Sequence, residues 1–297
     1  MPDPVDFARA SKFIDLHTHT TASDGTLAPA ELIAVAARSG VDALAITDHD
    51  TFDGYEDARE AAQHAGLELV RGIELNTRLN LGSDGTYRSV HLLGYWPSSE
   101  PSAEFREWLR SEREDRRDRN RRLIESLRKR EIEITLEEVE ALGRSLTGRN
   151  HFARVLVRKG YASNLDDAFV RYIGENAPSF VERQSQTTEE AIRRIRTGAG
   201  IPVIAHPIRL SLSRECEREV LAGLREAGLL GLEIYHSEHP PELQAHYRQL
   251  AQELDLLPTG GSDFHGLPKP DVHVGTGTNG NLRVPREFLD RLRQFVQ

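Results

Sequence analysis

The chain has 297 residues, a formal net charge of −9, and 38% hydrophobic against 29% charged residues. That is enough for one large α/β barrel or two ordinary domains, and the charge argues against a protein that coats long nucleic acid electrostatically. No run of about 18 apolar residues occurs, so no membrane span is expected. Met1–Lys12 lacks the basic-then-apolar pattern of a secretory signal, and the single cysteine, Cys216, excludes an internal disulfide and fits a reducing cytoplasm.

Phe13, Ile14 and Leu16 predict a short buried strand that delivers His17 and His19 at its C-terminal end. Side chains two apart on a strand point the same way, about 6.5–7 Å apart at Cα. The two imidazoles can therefore converge on one metal ion, or stand as hydrogen-bonded core histidines. A polar loop, Thr20–Thr26, carries Asp24. Pro29–Arg38 reads as a helix stopped by Gly40, and Asp42–Thr47 as a second strand with Asp48-His49-Asp50 at its C-terminal end. A helix over Tyr55–Ala65 ends at Gly66. Leu67–Leu75 is a third predicted strand, with Glu74 near its end, and Ser89–Tyr95 a fourth, with His91 within it. Alternation of this kind predicts parallel β/α units, whose chemistry gathers at the C-terminal ends of the strands.

From about Ser98 the alternation stops. Pro97 and Pro101 bracket a joint, and Arg110–Arg122 contains no apolar residue although Phe105, Trp108 and Leu109 precede it and Leu123, Ile124 and Leu127 follow. Because acids are interspersed with the arginines, this segment reads as a solvated helix laced with i,i+4 pairs and anchored at both ends. With further helices near Leu136–Leu142, His151–Lys159 and Leu165–Ile173, residues 98–185 are read as a helical insertion between barrel parts 12–97 and 186–297. The β/α rhythm returns at Thr187-x-x-Glu190, a capping-box start. It continues through strands Ile201–His206 and Gly231–His236 and a helix around Glu242–Glu253, and closes at Leu256–Thr259 and Gly260-Gly261-Ser262-Asp263-Phe264-His265.

Strand-end and loop-mouth positions thus hold His17, His19, Asp24, His49, Glu74, His91, His206, Asp263 and His265. Six histidines and three carboxylates are too many for one ion. Mixed imidazole and carboxylate ligation without cysteine suits Mn²⁺, Fe²⁺ or Zn²⁺ and argues against a structural zinc site. The motifs His17-x-His19, Thr47-Asp48-His49-Asp50, Gly72-Ile73-Glu74, Ala205-His206-Pro207 and Gly261-Ser262-Asp263-Phe264-His265 together resemble the PHP (polymerase and histidinol phosphatase) superfamily of metal-dependent phosphoesterases. The resemblance implies a distorted (β/α)₇ barrel with a trinuclear centre of two to three divalent ions, Mn²⁺ foremost. By that pattern His17, His19, Glu74 and Asp263 hold one ion, Glu74 bridges to a second bound by His91 and His206, and Asp24, His49 and His265 hold the third. Asp15 and Asp48 are expected either to orient imidazoles or to cap strand ends.

The insertion and the Arg149-x-His151-Phe152-Ala153-Arg154 stretch resemble the nucleoside 3′,5′-bisphosphate phosphatases, which remove a 3′-phosphate and in some members trim short RNA from its 5′ end. The expected substrate is then a small phosphorylated nucleotide or short oligoribonucleotide, with His206 and Glu74 at the chemistry. Arg149, His151, Arg209 and His236 are candidates for substrate contact, and His236 and Arg209 are also candidates for a catalytic role. His151 is equally readable as a helix-start residue, and His64 and His246 as solvent-facing. The rival readings are a histidinol-phosphate phosphatase, against which the insertion argues, and a non-catalytic metal-binding module.

Overall fold

The computed structural model describes residues 13–81, 87–143, 147–182 and 186–295. Met1–Lys12, expected to carry no leader, and the end of the insertion at 183–185 lie outside them. The strands are β1 (Phe13–Asp15), β2 (Ala43–Ile46), β3 (Glu68–Asn80), β4 (Tyr87–Trp96), β5 (Ile201–Ile204), β6 (Gly231–His236) and β7 (Leu257–Gly261). Three two-residue strands follow: β8 (Val272–His273), β9 (Gly277–Thr278) and β10 (Val284–Pro285). Around them lie α1 (Pro29–Ser39), α2 (Asp53–Ala65), α3 (Ala103–Arg128), α4 (Leu136–Gly143) and α5 (Arg149–Arg158). The remaining helices are α6 (Leu165–Ala168), α7 (Thr188–Thr197), α8 (Arg214–Glu226), α9 (Pro241–Glu253) and α10 (Glu287–Phe295).

The strands pair in the order β10-β1-β2-β3-β4-β5-β6-β7. Leu16 N donates to Gly260 O at 3.1 Å and Asp263 N to His17 O at 2.8 Å, which brings β7 back to the first strand and closes a distorted barrel of seven strands, β1–β7, with β10 paired on β1 as an eighth. The period of two along each strand assigns the faces. Ala43 and Ala45 of β2 and Val70 of β3 point inward with Ile14, Leu16, Tyr95 and Val203. Leu44 and Ile46 point outward under α1 and α2, against Leu32, Ile33 and Ala58. Glu74 lies an even number of residues from Val70, so the same alternation turns it inward.

The structure corrects the expectation of parallel units throughout. β3 does not stop at Leu75 but runs to Asn80, and β4 comes back antiparallel beside it, with Asn76 opposite His91 and Glu74 opposite Leu93. β5 is antiparallel to β4 in turn. His91 therefore reaches the site from the middle of a strand, by cross-strand register, and not from a strand end.

The helix expected to be solvated is α3, whose N-terminus is capped by Ser102 Oγ accepting from Phe105 N at 3.2 Å. Its first turns bury Phe105 and Leu109 against Trp96, Ile192 and Ile195 of the barrel side. Its last turns bury Leu123, Ile124 and Leu127 in a separate core with Val139, Phe152 and Leu156. Between the anchors one face is solvated, as expected, but the other buries Arg116, Arg119 and Asn120. Their i, i+3, i+4 spacing puts them on one side of the helix, and that side looks into the mouth of the barrel.

Candidate metal centre

At the barrel mouth one carboxylate is ringed by imidazoles. Glu74 Oε1 lies 2.9 Å from both His91 Nδ1 and His206 Nε2. Its Oε2 lies 3.1 Å from His19 Nε2, 3.2 Å from His49 Nδ1 and 3.5 Å from His17 Nε2. Asp263 Oδ1 faces the same pair from β7's end, 3.6 Å from His17 and 3.4 Å from His19. A third group forms where Asp24 Oδ1 approaches His265 Nε2 at 3.3 Å and Oδ2 approaches His49 Nε2 at 3.7 Å. All nine residues singled out from the sequence fall into sets whose ligand atoms lie within 4.8 Å of one another. His19 and His49 are shared more widely than the sequence pattern implies: His19 stands with Asp24, His49 and His265 as well as with His17 and Glu74, and His49 with Glu74 and His91.

The charges of this cluster call for a cation. Burial would push the Glu74, Asp263 and Asp24 carboxyls up, but the neighbouring imidazoles hold all three well below the usual carboxylate range. Burial pulls His19 down, yet Asp263 and Glu74 lift it to about 9, and His17 is raised well above its ordinary value against the same penalty. His49 and His206 go the other way: burial drives them to about 3 and about 4, leaving neutral rings with lone pairs to give. His17 Nε2 and His19 Nε2 are buried and have no hydrogen-bond partner of acceptable geometry, although carboxylate oxygens stand 3.1–3.6 Å away. An orphaned buried ring nitrogen costs free energy. Divalent ions among these donors would satisfy the nitrogens and neutralise the carboxylates together, so the residues fit metal.

The supporting shell was only partly legible beforehand. Glu233, fully buried in the middle of β6, accepts from His17 Nδ1 at 3.0 Å and from the His206 backbone N at 2.6 Å. Despite its burial the His17 charge holds it at about 2. A lone acid between Leu232 and Ile234 was the signal that could have found it, since a buried charge demands a partner. Asp15 and Asp48 act as caps. Asp15 accepts from the backbone N–H groups of His17, Ser262 and Gly275, and Asp48 from Thr20 N, Thr20 Oγ1 and Ser23 Oγ. Asp50, Asp263 and His206 hold positive φ, a cost of about 1–3 kcal/mol each that the surrounding structure must offset.

Above the cluster opens a cleft of about 790 Å³, floored by Asp24, His49, Glu74, His91, Asp263 and His265 and walled by the insertion. Arg116, Arg119, Arg149, Arg154 and His151 line it from the insertion, and Arg209 and Lys269 from the barrel. Arg116 donates to Asp50, whose other oxygen accepts from Asn76 N at 3.2 Å. Arg154 makes no hydrogen bond or ion pair among the described residues. Arg209 reaches the cleft but is already engaged, bonded to Glu238 and, at 3.0 Å, to Asp263 Oδ2. Lys269 also binds Asp263 and was not foreseen. His151 stands at the start of α5, where Nδ1 accepts from Gly148 N at 3.1 Å, while its buried Nε2 lacks a hydrogen-bond partner. His236 is not on the cleft wall. It is 1% exposed, with Nε2 3.3 Å from Asp263 Oδ2, and meets that carboxylate rather than the open cleft. His64 is exposed, but His246 is not simply solvent-facing, being bonded to Glu217 at 2.8 Å.

The chain is similar to several known proteins. The sequence pattern of the PHP domain matches residues 15–168. A 5′-3′ exoribonuclease of Haemophilus influenzae is 34% identical over 86% of this chain and 90% of its own length. The 3′,5′-nucleoside bisphosphate phosphatase of Chromobacterium violaceum is 31% identical over 88% of this chain and 90% of its own. A phosphoribosyl 1,2-cyclic phosphate 1,2-diphosphodiesterase of Eggerthella lenta is 32% identical over 91% and 98%. Among solved structures, a Bifidobacterium adolescentis protein assigned as a metal-dependent phosphoesterase superposes with a TM-score of 0.74 at 32% identity, covering 95% of each chain.

Proposed function

The chain belongs to the PHP domain family, whose metal-dependent phosphoesterases hydrolyse phosphoester bonds, and on that footing we propose that it removes the 3′-phosphate of a nucleoside 3′,5′-bisphosphate and also trims short oligoribonucleotides from the 5′ end. The observation that carries this reading is the pair of arginines, Arg149 and Arg154, on the cleft wall beside the candidate metal ligands, where they would form a second anion site. A substrate with one phosphate uses the floor alone, whereas a bisphosphate uses both.

Three divalent ions, Mn²⁺ foremost and Fe²⁺ or Zn²⁺ as alternatives, would be held by His17, His19, Glu74 and Asp263, by Glu74, His91 and His206, and by Asp24, His49 and His265. When bound they supply Lewis acidity toward phosphoryl oxygens and a lowered pKa for water. The chain's own residues do the rest. Glu233 fixes the tautomer and angle of His17 through Nδ1–H and clamps the backbone at His206. His236 steadies Asp263 from behind. Arg149 and Arg154 receive the phosphate that is not cleaved, each by charge-assisted hydrogen bonds. His151 Nε2 meets substrate from the insertion. Arg209 and Lys269, already on Asp263 Oδ2, sit where the reacting phosphate enters. The exposed Cys216 suits a reducing cytoplasm.

The test is turnover by the Mn²⁺-loaded protein of adenosine 3′,5′-bisphosphate, histidinol phosphate and a 5′-phosphorylated trinucleotide in parallel, read as inorganic phosphate from the first two and as nucleoside 5′-monophosphate from the third. The highest kcat/KM is expected on the nucleotides. A preference for histidinol phosphate would overturn the assignment.

A further inference from the structure

Three arginine–aromatic pairs, made by two arginines, line the cleft, and the chemistry above uses none of the rings. On the barrel side, Arg78 Cζ lies 4.7 Å from the centroid of Tyr87, whose side chain is 49% exposed. On the insertion side, Arg149 Cζ lies 5.6 Å from Phe180 and 6.0 Å from Phe169. Phe180 is half-buried yet packs into none of the four hydrophobic cores among the described residues. An aromatic ring left on a cationic wall forgoes the burial that would stabilise it in a core. A guanidinium stacked on such a ring keeps its edge donors free for phosphate. Rings for bases beside cations for the backbone are how proteins hold single-stranded nucleic acid.

Position says which base. Arg78 lies four residues beyond Glu74 on β3, about 13 Å along the strand, a separation that calls for a second nucleotide beyond the phosphorus held near Glu74. We infer that the cleft holds a short 5′-phosphorylated oligoribonucleotide, with the base that follows the scissile phosphorus stacked on Tyr87 and a further base on Phe180. Both substrates then undergo one reaction. Water adds to phosphorus, the bond from phosphorus to the 3′-oxygen breaks, and that oxygen takes the proton. The phosphate leaves on the 5′-oxygen of the next nucleotide, or as inorganic phosphate when there is none. Glu175 stands on the same rim, 3.9 Å from Arg149, and yields that contact when a phosphate arrives.

This subsite rests on the phosphoesterase reading but is tested apart from turnover. Fluorescence anisotropy in EDTA measures the affinity of a 3′-labelled, 5′-phosphorylated tri-ribonucleotide, and competition gives that of adenosine 3′,5′-bisphosphate. Tyr87→Ala and Phe180→Ala should each lower the ratio of trinucleotide to bisphosphate affinity about tenfold to hundredfold. Tyr87→Phe, which keeps the ring, should hold it within about twofold. An unchanged ratio in both alanine variants, or one that Tyr87→Phe lowers as much as Tyr87→Ala, would overturn the subsite. Loss of the function assignment would show instead in the Mn²⁺ assay, leaving the affinity ratio to decide this question.

Discussion

Replacing Glu74 by Gln tests the centre at the residue on which it converges. The carboxylate is 1% exposed and faces five imidazoles at 2.9–3.5 Å, two from Oε1 and three from Oε2. Glutamine keeps the shape and one acceptor oxygen, but it removes the charge and turns an N–H₂ group toward nitrogen donors. A unit charge at about 4 Å and an effective dielectric near 20 is worth roughly 4 kcal/mol, close to a thousandfold in affinity. A divalent partner doubles the charge product, and the retained amide oxygen gives some of that back, so about a thousandfold is the working figure for each ion that touches Glu74. Metal content, read by inductively coupled plasma mass spectrometry after dialysis, should fall, and kcat at fixed Mn²⁺ should drop by about three orders of magnitude or more. The far-UV circular dichroism should not change, because the barrel strands are paired by backbone bonds that the substitution leaves alone. Full metal occupancy with near-normal turnover would refute the idea that Glu74 is shared between ions.

Arg149→Ala removes a charge-assisted contact worth about 1.5–3 kcal/mol, so the ratio of kcat/KM on adenosine 3′,5′-bisphosphate to that on p-nitrophenyl phosphate should fall about tenfold to hundredfold. Equal losses on both would make Arg149 structural. Gly261→Ala would set a Cβ 2.3 Å from the His17 backbone N and 2.7 Å from its Cα. Neither can yield as a flexible side chain could, so thermal denaturation should come several degrees lower, at a cost of at least about 1–3 kcal/mol. A wild-type melt would show that this contact relaxes. Burial, aided by Arg154, lowers the His151 pKa below 6.5. A group whose folded pKa is depressed below its unfolded value favours the native state above the unfolded pKa and loses that contribution as pH falls toward the folded one. NMR titration should therefore place His151 below 6.5, and His151→Gln should lose less stability than the parent between pH 7 and pH 5. A His151 that titrates above 6.5 would contradict this.

Much of the site could be read from the chain because its rules are local. His17-x-His19 and Asp263-x-His265 stand just past the ends of β1 and β7, and a β/α rhythm delivers strand ends to one mouth, so all nine ligand candidates were visible in sequence. Helix ends were equally local: Gly40 takes the left-handed C-cap with φ of 76°, and Thr187 caps α7 by accepting from Glu190 N. Other features depended on partners distant in the chain. The antiparallel return of β4 is a choice of neighbour, and the pattern of Tyr87–Trp96 alone does not encode it; only the register of Asn76 with His91 brings that imidazole to Glu74. Composition made α3 a solvated helix, since nothing within Arg110–Arg122 marks one face as special until Asp50 and Thr147 arrive from elsewhere to receive Arg116 and Asn120. His236 looked like a substrate contact because it ends a strand, and it meets Asp263 because β7 pairs alongside β6 with Gly261 opposite His236. Sequence fixes which side chains share a face, through backbone geometry repeated every two or 3.6 residues. Which charges meet across that face is set by strand order and helix docking, where burial makes every unpaired group costly and so leaves few arrangements to choose from.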